Sequence, residues 1–228
     1  MAEIILLRHG QASLGAENYD QLSPVGYQQA ELLGRQWAAL AQGADSLVLG
    51  SMARHEQTAT AFLKGLSANT MVQQPNVSAD AGLNEYDFQN LLDSLKAHYP
   101  DSWHQTGNGP RDYYHNIKAA LLHWAAGDIQ SDGHCSWEGF KLRILAALEK
   151  AMATPFKRLV LVTSGGPTSI ILGHFLGLNA ERTINLSLRI KNTSTSTIIT
   201  NRTDFTVESV NDVSHLMTAE HCQLITVA

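Results

Sequence analysis

Short apolar runs, each followed by a turn and then by a helical pattern, recur along the chain. They lie at Ile4 to Leu7, Ser46 to Leu49 and Arg158 to Thr163. A short apolar run between turn residues is typical of a strand that is buried on both faces, as in the middle of a parallel sheet. The alternation of such strands with helices predicts an α/β fold, in which a mixed, mostly parallel sheet is flanked by helices.

Helix signals follow each of these predicted strands. Ser23 is an N-cap residue followed by a proline, which predicts a first helix over about 24–42. A second helix is expected over about 51–66, with Ser51 as its N-cap, and a third over 170–178. The first predicted strand therefore leads into its helix through a loop at 10–22, and the other two lead into theirs through shorter turns.

The other strand signals are weaker and suit the outer part of a sheet. A strand within 71–79 is expected near an edge because Pro75 has no backbone N–H to donate. Polar and β-branched residues alternate in the tail, which predicts outer strands at 184–188, 196–199 and 204–210.

The stretch 89–154 lacks buried strand runs and is rich in aromatic residues and histidine. Its apolar spacing predicts helices at about 89–98, 112–126 and 136–153. We interpret the chain as a single domain over 1–228, with 89–154 as a helical insertion above the carboxyl end of the sheet. The insertion and the outer strands are both candidate surfaces for a homodimer.

Composition narrows the class of protein. The 228 residues are 44% hydrophobic and 16% charged, with a net charge of −5, which is typical of a soluble domain and argues against nucleic acid or an anionic membrane as the main partner. Cys135 and Cys222 lack metal-site spacing, and the ten histidines form no ligand motif, so we expect reduced thiols and no metal or other cofactor. Without an N-terminal signal or a long apolar segment, the expected location is the cytoplasm.

Three of the strand ends carry residues suited to binding an anion. Arg8, His9 and Gly10 follow the first strand, Arg54 follows the second, and Gly165 begins a glycine pair after the late strand. Taken singly, the first three residues are equally well explained as an ordinary loop, and Arg54 is better explained as a solvated helix residue. Because the carboxyl ends of parallel strands meet at one edge, their joint occurrence predicts a phosphate site there.

Further polar residues lie near these junctions. Glu85 and Asp87 stand two residues apart between apolar neighbours, where one carboxyl group with a raised pKa could donate a proton, although solvated loop acids are the commoner case. Ser164 or Thr163 could add a hydroxyl donor.

Taken together, these stretches resemble the histidine phosphatase superfamily, also called the phosphoglycerate mutase-like family. The matching pieces occur in the family's order over most of the chain. They are Leu7-Arg8-His9-Gly10-Gln11, Leu22 to Gly26, Ser51-x-x-Arg54-x-x-Gln57-Thr58-Ala59, Leu83-Asn84-Glu85, and the late strand with Gly165-Gly166.

The resemblance implies a role for each matching residue. His9 corresponds to the nucleophile that becomes phosphohistidine, and Glu85 to the proton donor to the leaving alcohol, with Asp87 in reserve. The residues expected at the phosphate are Arg8, Arg54, Gln11, Ser164 and Gly165. Guanidinium groups replace the metal ion that other phosphotransferases use.

One position departs from the family's pattern. The family usually has a second histidine directly before the glycine pair, and this chain has Ser164 there. Loss of one oxyanion donor costs about 10²–10³ in rate, which leaves open a slow, a specialised or an inactive member. His55, His134 and His221 are candidates to replace the missing imidazole, and the sequence favours none of them.

The expected function is therefore hydrolysis of a phosphomonoester, either a small phosphorylated substrate or a phosphopeptide, through phospho-His9. The first alternative is a phospholigand-binding protein with little or no turnover. The second is a phosphoglycerate mutase, which ranks last because no basic cluster suited to a bisphosphate stands in the insertion or tail.

Overall fold

The structure is a computed structural model that describes residues 1–13, 20–131, 135–201 and 203–227. The strands in this part of the chain are β1 (Ala2–Arg8), β2 (Ser46–Leu49), β3 (Asn76–Ala79), β4 (Arg158–Thr163), β5 (Thr195–Thr200) and β6 (Phe205–Asp212). The α-helices there are α1 (Pro24–Ala39), α2 (Ala53–Leu66), α3 (Phe88–His98), α4 (Gly109–Ala126), α5 (Trp137–Met152), α6 (Gly165–Leu176) and α7 (Ala180–Ser187).

The strands form one sheet in the order β3-β2-β4-β1-β5-β6. The four strands from β3 to β1 run parallel, and β5 and β6 are added antiparallel beside β1. Val162 pairs with both Leu7 and Leu49, so that β1, β2 and β4 end level with one another. The predicted mixed, mostly parallel sheet is confirmed, and its register brings the three strand ends to one edge.

Helices cover both faces of the sheet, which explains why the central strands are apolar throughout. Alternate residues of each strand point to opposite faces. On one face, a buried cluster joins strands β1, β2 and β4 to α1 and α2, through Ile5, Leu7, Leu47, Leu49, Val160, Val162, Leu33, Trp37 and Phe62. On the other face, Ile4, Leu6, Leu159 and Leu161 share a cluster with residues of α3, α4, α5 and α6.

Helices α1 and α2 pack with their backbones unusually close. A Cβ atom added at Gly34 would stand 2.0 Å from the carbonyl oxygen of Phe62, and one at Gly65 would stand 2.2 Å from the carbonyl oxygen of Glu31. Two glycines, one on each helix, therefore allow the approach. This contact fixes the position of α2, which begins at the functional edge of the sheet.

Three sequence predictions need correction. The strand expected at 184–188 is instead the end of α7 and its C-cap residue Leu188, and Asn179 caps the start of that helix by accepting a hydrogen bond from the Arg182 N–H at 2.9 Å. Helix α6 begins at Gly165 rather than at residue 170, since glycine and proline are tolerated in a first turn whose N–H groups have no intrahelical partner. The N-cap of α2 is Met52 rather than Ser51.

The three helices expected within 89–154 are present as α3, α4 and α5, and the predicted edge strand is present as β3. That 89–154 forms an insertion stays a prediction. None of the described helices is both long and apolar enough to cross a membrane.

We expect Gly34→Ala to destabilise the protein by about 1–3 kcal/mol, because the added methyl group meets backbone atoms that can move only if α1 and α2 separate. Gly109→Ala is the matched control, since a Cβ there has no atom within 4 Å and should change stability by less than about 0.5 kcal/mol. Urea unfolding measures both changes. Equal stability of the two variants would mean that the helices are not in backbone contact.

Candidate active site

A cavity of about 700 Å³ opens at the edge where β1, β2 and β4 end. One end of it is polar and is lined by Arg8, His9, Arg54, Glu85 and the Gly165-Gly166 pair. Arg8, His9 and Arg54 are each at least nine-tenths buried. Residues from the end of β1, the start of α2, the loop after β3 and the start of α6 thus converge as the sequence predicted.

The imidazole of His9 is fixed in orientation and in tautomer. Its Nδ1 lies 2.7 Å from the carbonyl oxygen of Gly10, and a carbonyl oxygen only accepts hydrogen bonds, so Nδ1 carries the proton of the neutral ring. The lone pair is then on Nε2. The backbone is fastened as well, because the His9 N–H donates to the Thr163 carbonyl at 2.8 Å and the His9 carbonyl accepts from the side chain of Asn192 at 3.2 Å.

The surroundings of His9 keep its ring neutral. Burial is the main cause, and the positive charges of Arg54 and Arg8 add to it, so that the pKa of His9 lies well below its usual value of 6.5. The imidazole is therefore neutral at neutral pH, with an unprotonated Nε2.

Arg8 stands beside the glycine pair. Its Nη1 donates to the carbonyl oxygen of Ile190, and a Cβ atom at Gly165 would lie 3.8 Å from the Nε and Cζ atoms of Arg8. The guanidinium group is thus held between the chain after α7 and the first turn of α6.

Arg54 is held by a carboxylate that the sequence did not suggest. Its Nη1 donates to Oδ1 of Asp20 at 3.0 Å, and Oδ2 of Asp20 accepts from the Ala53 N–H at 2.9 Å. Asp20 therefore accepts a hydrogen bond from an N–H group that has no partner within α2, and it also orients the guanidinium group of Arg54. The pairing depends on a loop that meets α2 only in the folded chain.

Glu85 reaches the same end of the cavity and is anchored on α6. Its Oε2 accepts from the Gly166 N–H at 3.0 Å, and its Oε1 accepts from the Tyr86 N–H at 3.3 Å. A Cβ atom at Gly166 would lie 2.1 Å from Oε1, so this approach requires glycine. Burial raises the pKa of Glu85 above its usual 4.5, against the opposing effect of these two N–H groups.

The loop that carries Glu85 is held by two contacts that the sequence analysis missed. The side chain of Asn84 makes a double hydrogen bond to Ser51, at 2.7 Å to the backbone N–H and 2.8 Å to the hydroxyl group. From α5, Arg143 donates to the carbonyl oxygens of Ala81, Gly82 and Asn84 at 2.9–3.1 Å. Both contacts join residues that are far apart in the sequence, so no local sequence pattern predicts them.

Two other predicted site residues have different contacts. Asp87 is exposed and caps α3, accepting from the Asn90 N–H at 3.0 Å, whereas Glu85 is the carboxyl group that lines the cavity. The side chain of Gln11 accepts from the hydroxyl group of Ser23 at 2.8 Å and does not line the cavity. Gln11 therefore braces the start of α1.

Ser164 lies directly behind the polar end, fully buried, and its Oγ is 2.8 Å from Nε2 of His55. The centroids of the His55 and His9 rings are 5.7 Å apart. Of the two candidate histidines that the structure describes, His55 and His221, it is therefore His55 that contacts Ser164. His221 bonds to Thr218 instead, and His134 lies outside the described residues. Burial, with the charge of Arg54, lowers the pKa of His55 to about 3 and keeps its ring neutral.

In the part of the chain that the structure describes, no three histidine, cysteine, aspartate or glutamate side chains are grouped so as to hold a metal ion. The positive charge at the polar end of the cavity comes from the two arginines. The hydroxyl group of Thr163, the other hydroxyl donor considered, donates to the Leu83 carbonyl at 2.6 Å.

Comparison with known proteins bears on the family to which the chain belongs. The model of the histidine phosphatase superfamily, branch 1, matches residues 4–213. No curated protein sequence matches the chain.

Solved structures share the fold at low sequence identity. YhfR of Bacillus stearothermophilus is 19% identical, with a TM-score of 0.67 over 94% of this chain and 99% of that one. A phosphoglycerate mutase of Bacillus anthracis is 20% identical, with a TM-score of 0.62 over 94% of both chains. An alpha-ribazole phosphatase of Shigella flexneri is 18% identical, with a TM-score of 0.61 over 92% of this chain and 96% of that one.

The contact between Ser164 and His55 predicts how the two positions interact on mutation. Ser164→His should cost about 1–3 kcal/mol of stability, because His55 already fills the space beside it and both residues are fully buried. The same change should cost less when His55→Ala has vacated that space, which gives a favourable coupling energy in a double-mutant cycle. Urea unfolding of the four proteins measures the cycle, and strictly additive changes would contradict the contact.

Proposed function

Because the chain belongs to the histidine phosphatase superfamily, branch 1, we propose that it is a metal-independent phosphomonoester hydrolase that works through a phosphohistidine at His9. One observation carries the proposal. A neutral imidazole, with its Nδ1 proton engaged by Gly10 and its Nε2 unprotonated, lines a cavity that Arg8 and Arg54 line as well. This arrangement combines a nucleophile with donors for the oxygens of a phosphoryl group.

In the first step, Nε2 of His9 attacks the phosphorus atom and the bond from phosphorus to the ester oxygen breaks. The electron pair of that bond goes to the ester oxygen, which takes the proton of Glu85 and leaves as the alcohol. A protonated Glu85 avoids the release of an alkoxide, and its raised pKa increases the protonated fraction.

In the second step, water attacks the phosphorus atom of phosphohistidine. The carboxylate of Glu85 takes a proton from that water, the bond from phosphorus to Nε2 breaks, and inorganic phosphate leaves. The starting protonation states of His9 and Glu85 are thereby restored.

The two guanidinium groups stabilise the charge on the phosphoryl oxygens throughout. Each is fixed before substrate arrives, Arg54 by Asp20 and Arg8 by the Ile190 carbonyl. Fixed donors in a buried site are worth more than the same donors in water, because they need no reorganisation during the reaction.

The first prediction concerns turnover itself. The wild-type protein should hydrolyse 4-nitrophenyl phosphate at mildly acidic pH and in the presence of EDTA, whereas His9→Ala should lose at least about 10³ of kcat, because His9 is the imidazole among the described residues that line the cavity. In parallel, calorimetry measures the binding of vanadate to the wild type and to Arg8→Ala.

Each outcome of this assay decides between the candidates. Absence of turnover together with vanadate binding that is lost in Arg8→Ala favours a phospholigand-binding protein. Conversion of 3-phosphoglycerate to 2-phosphoglycerate, primed by 2,3-bisphosphoglycerate, favours a mutase. Turnover that His9→Ala retains would refute the role of His9.

A second prediction separates Glu85 from Asp87. The active form needs His9 unprotonated and Glu85 protonated, so kcat/KM should fall as pH drops through the pKa of His9 and fall again as pH rises through the raised pKa of Glu85. Glu85→Gln should remove the high-pH limb. It should cost about 10²–10⁴ in rate with an alkyl phosphate, and much less with 4-nitrophenyl phosphate, whose leaving group needs no proton.

Asp87→Asn is the matched control, because asparagine keeps the N-cap of α3 and Asp87 does not line the cavity. Its pH profile and its rates with both esters should match those of the wild type. A loss of the high-pH limb in Asp87→Asn, with Glu85→Gln unaffected, would assign the proton donor to Asp87.

A further inference from the structure

Beyond the phosphate end, the cavity has a second part with a different chemical character. Its walls come from the start of α3, the first turns of α4, the chain after α7, and the tail, and they are mostly apolar or aromatic. Its large aromatic and apolar residues are Phe88, Tyr113, Tyr114, Ile117 and Leu188, and Ser187 and Arg189 are polar. We call this part the aromatic chamber. With the phosphoryl group held at His9 and the two arginines, the alcohol part of a substrate has this chamber as the remaining part of the cavity.

Tyr86 forms the boundary between the two parts and stands beside the proposed proton donor. Its ring packs against Trp124 and Phe140, with centroids 5.3 and 5.5 Å apart, and its Cε1 would lie 2.9 Å from a Cβ atom on Gly166. Trp124 and Phe140 are almost fully buried. The boundary is therefore a supported aromatic surface rather than a mobile side chain.

The size of the cavity argues against a small polar substrate. Its volume of about 700 Å³ falls within the range of about 300–1,000 Å³ for pockets that enclose a drug-sized molecule. A three-carbon leaving group would leave most of the chamber wall uncovered, whereas a ring system would remove that wall from water.

The charges around the cavity add a second restriction. Arg8, Arg54 and Arg189 line it, and Glu85 is the carboxyl group among the described lining residues. The guanidinium carbon of Arg189 lies 5.4 Å from the centroid of the Tyr114 ring. A dianionic phosphate suits this balance, but an ammonium group on the leaving alcohol would add positive charge to a cavity that three guanidinium groups already line.

We propose that the natural substrate is a phosphomonoester whose alcohol carries a large aromatic body and no ammonium group, the ring being held in the aromatic chamber. The proposal rests on the proposed hydrolysis at His9 and adds the substrate class. Contacts with a part of the substrate that does not react contribute to kcat/KM, which is therefore the quantity that should respond.

Three alkyl phosphates with similar leaving alcohols test the chamber without changing the chemistry at phosphorus. They are 3-phenylpropyl phosphate, propyl phosphate and 3-aminopropyl phosphate. We expect kcat/KM for the phenylpropyl ester to exceed that for the propyl ester by about tenfold or more, and the aminopropyl ester to be the poorest of the three.

A pair of tyrosine variants locates the effect. Tyr113 on α4 is 44% exposed and lines the chamber, and Tyr27 on α1 is 41% exposed and does not. Tyr113→Ala should lower the ratio of the phenylpropyl to the propyl kcat/KM about threefold to tenfold, while Tyr27→Ala should leave that ratio unchanged. Both side chains are exposed, so both variants should fold.

Calorimetry on His9→Ala protein separates this proposal from the proposed function. His9→Ala protein should bind 3-phenylpropyl phosphate with a lower Kd than propyl phosphate, even if the wild type hydrolyses neither ester. If the wild type shows no turnover but this binding preference is present, hydrolysis is rejected and the proposal that the aromatic chamber binds a ring is retained. Equal kcat/KM and equal Kd for the phenylpropyl and propyl esters would contradict the proposal that the aromatic chamber binds a ring. A ratio of the two kcat/KM values that Tyr113→Ala leaves unchanged would also contradict it.

Discussion

The hydrogen bond from His9 Nδ1 to the Gly10 carbonyl oxygen is the interaction on which the site depends. It decides which ring nitrogen carries the proton, and so which one is nucleophilic. Burial and two neighbouring arginines keep the ring neutral, which supplies that lone pair at ordinary pH. In the mechanism that we propose, those arginines are also the donors to the phosphoryl oxygens. The same positive charges would then both keep the imidazole neutral and attract the substrate.

The sheet makes this arrangement possible by ending three parallel strands at one level. The shared register of Leu7, Leu49 and Val162 places His9, the start of α2 and the start of α6 side by side. The close backbone contact of Gly34 with α2 then determines how far Arg54 reaches over the edge. Stability and function are linked through these helix positions, since a shift of α2 would move one of the two guanidinium groups.

Sequence reasoning could predict the parts of the site that follow from strand ends. The buried strands appear in the sequence as apolar runs, and the polar residues that follow these runs meet at one edge, so Arg8, His9 and Arg54 were predictable. Glu85 follows the exposed strand β3 instead; the residues alone left it level with Asp87, and the family resemblance favoured it. Asp20 and Arg143 were not, because their roles consist of contacts with segments about 33–62 residues away along the chain. The contact between Ser164 and His55 has the same origin: a packing distance, not a spacing, distinguishes His55 from the other histidines.

Nitrogen NMR of the histidine side chains tests the central claim most directly. With ¹⁵N-labelled histidine, and His9→Ala to identify the signal, long-range proton–nitrogen spectra report which nitrogen of His9 is protonated and at what pH the ring titrates. The account predicts a proton on Nδ1, a bare Nε2, and titration well below pH 6.5. A proton on Nε2 in the neutral ring, or titration at or above pH 6.5, would contradict it.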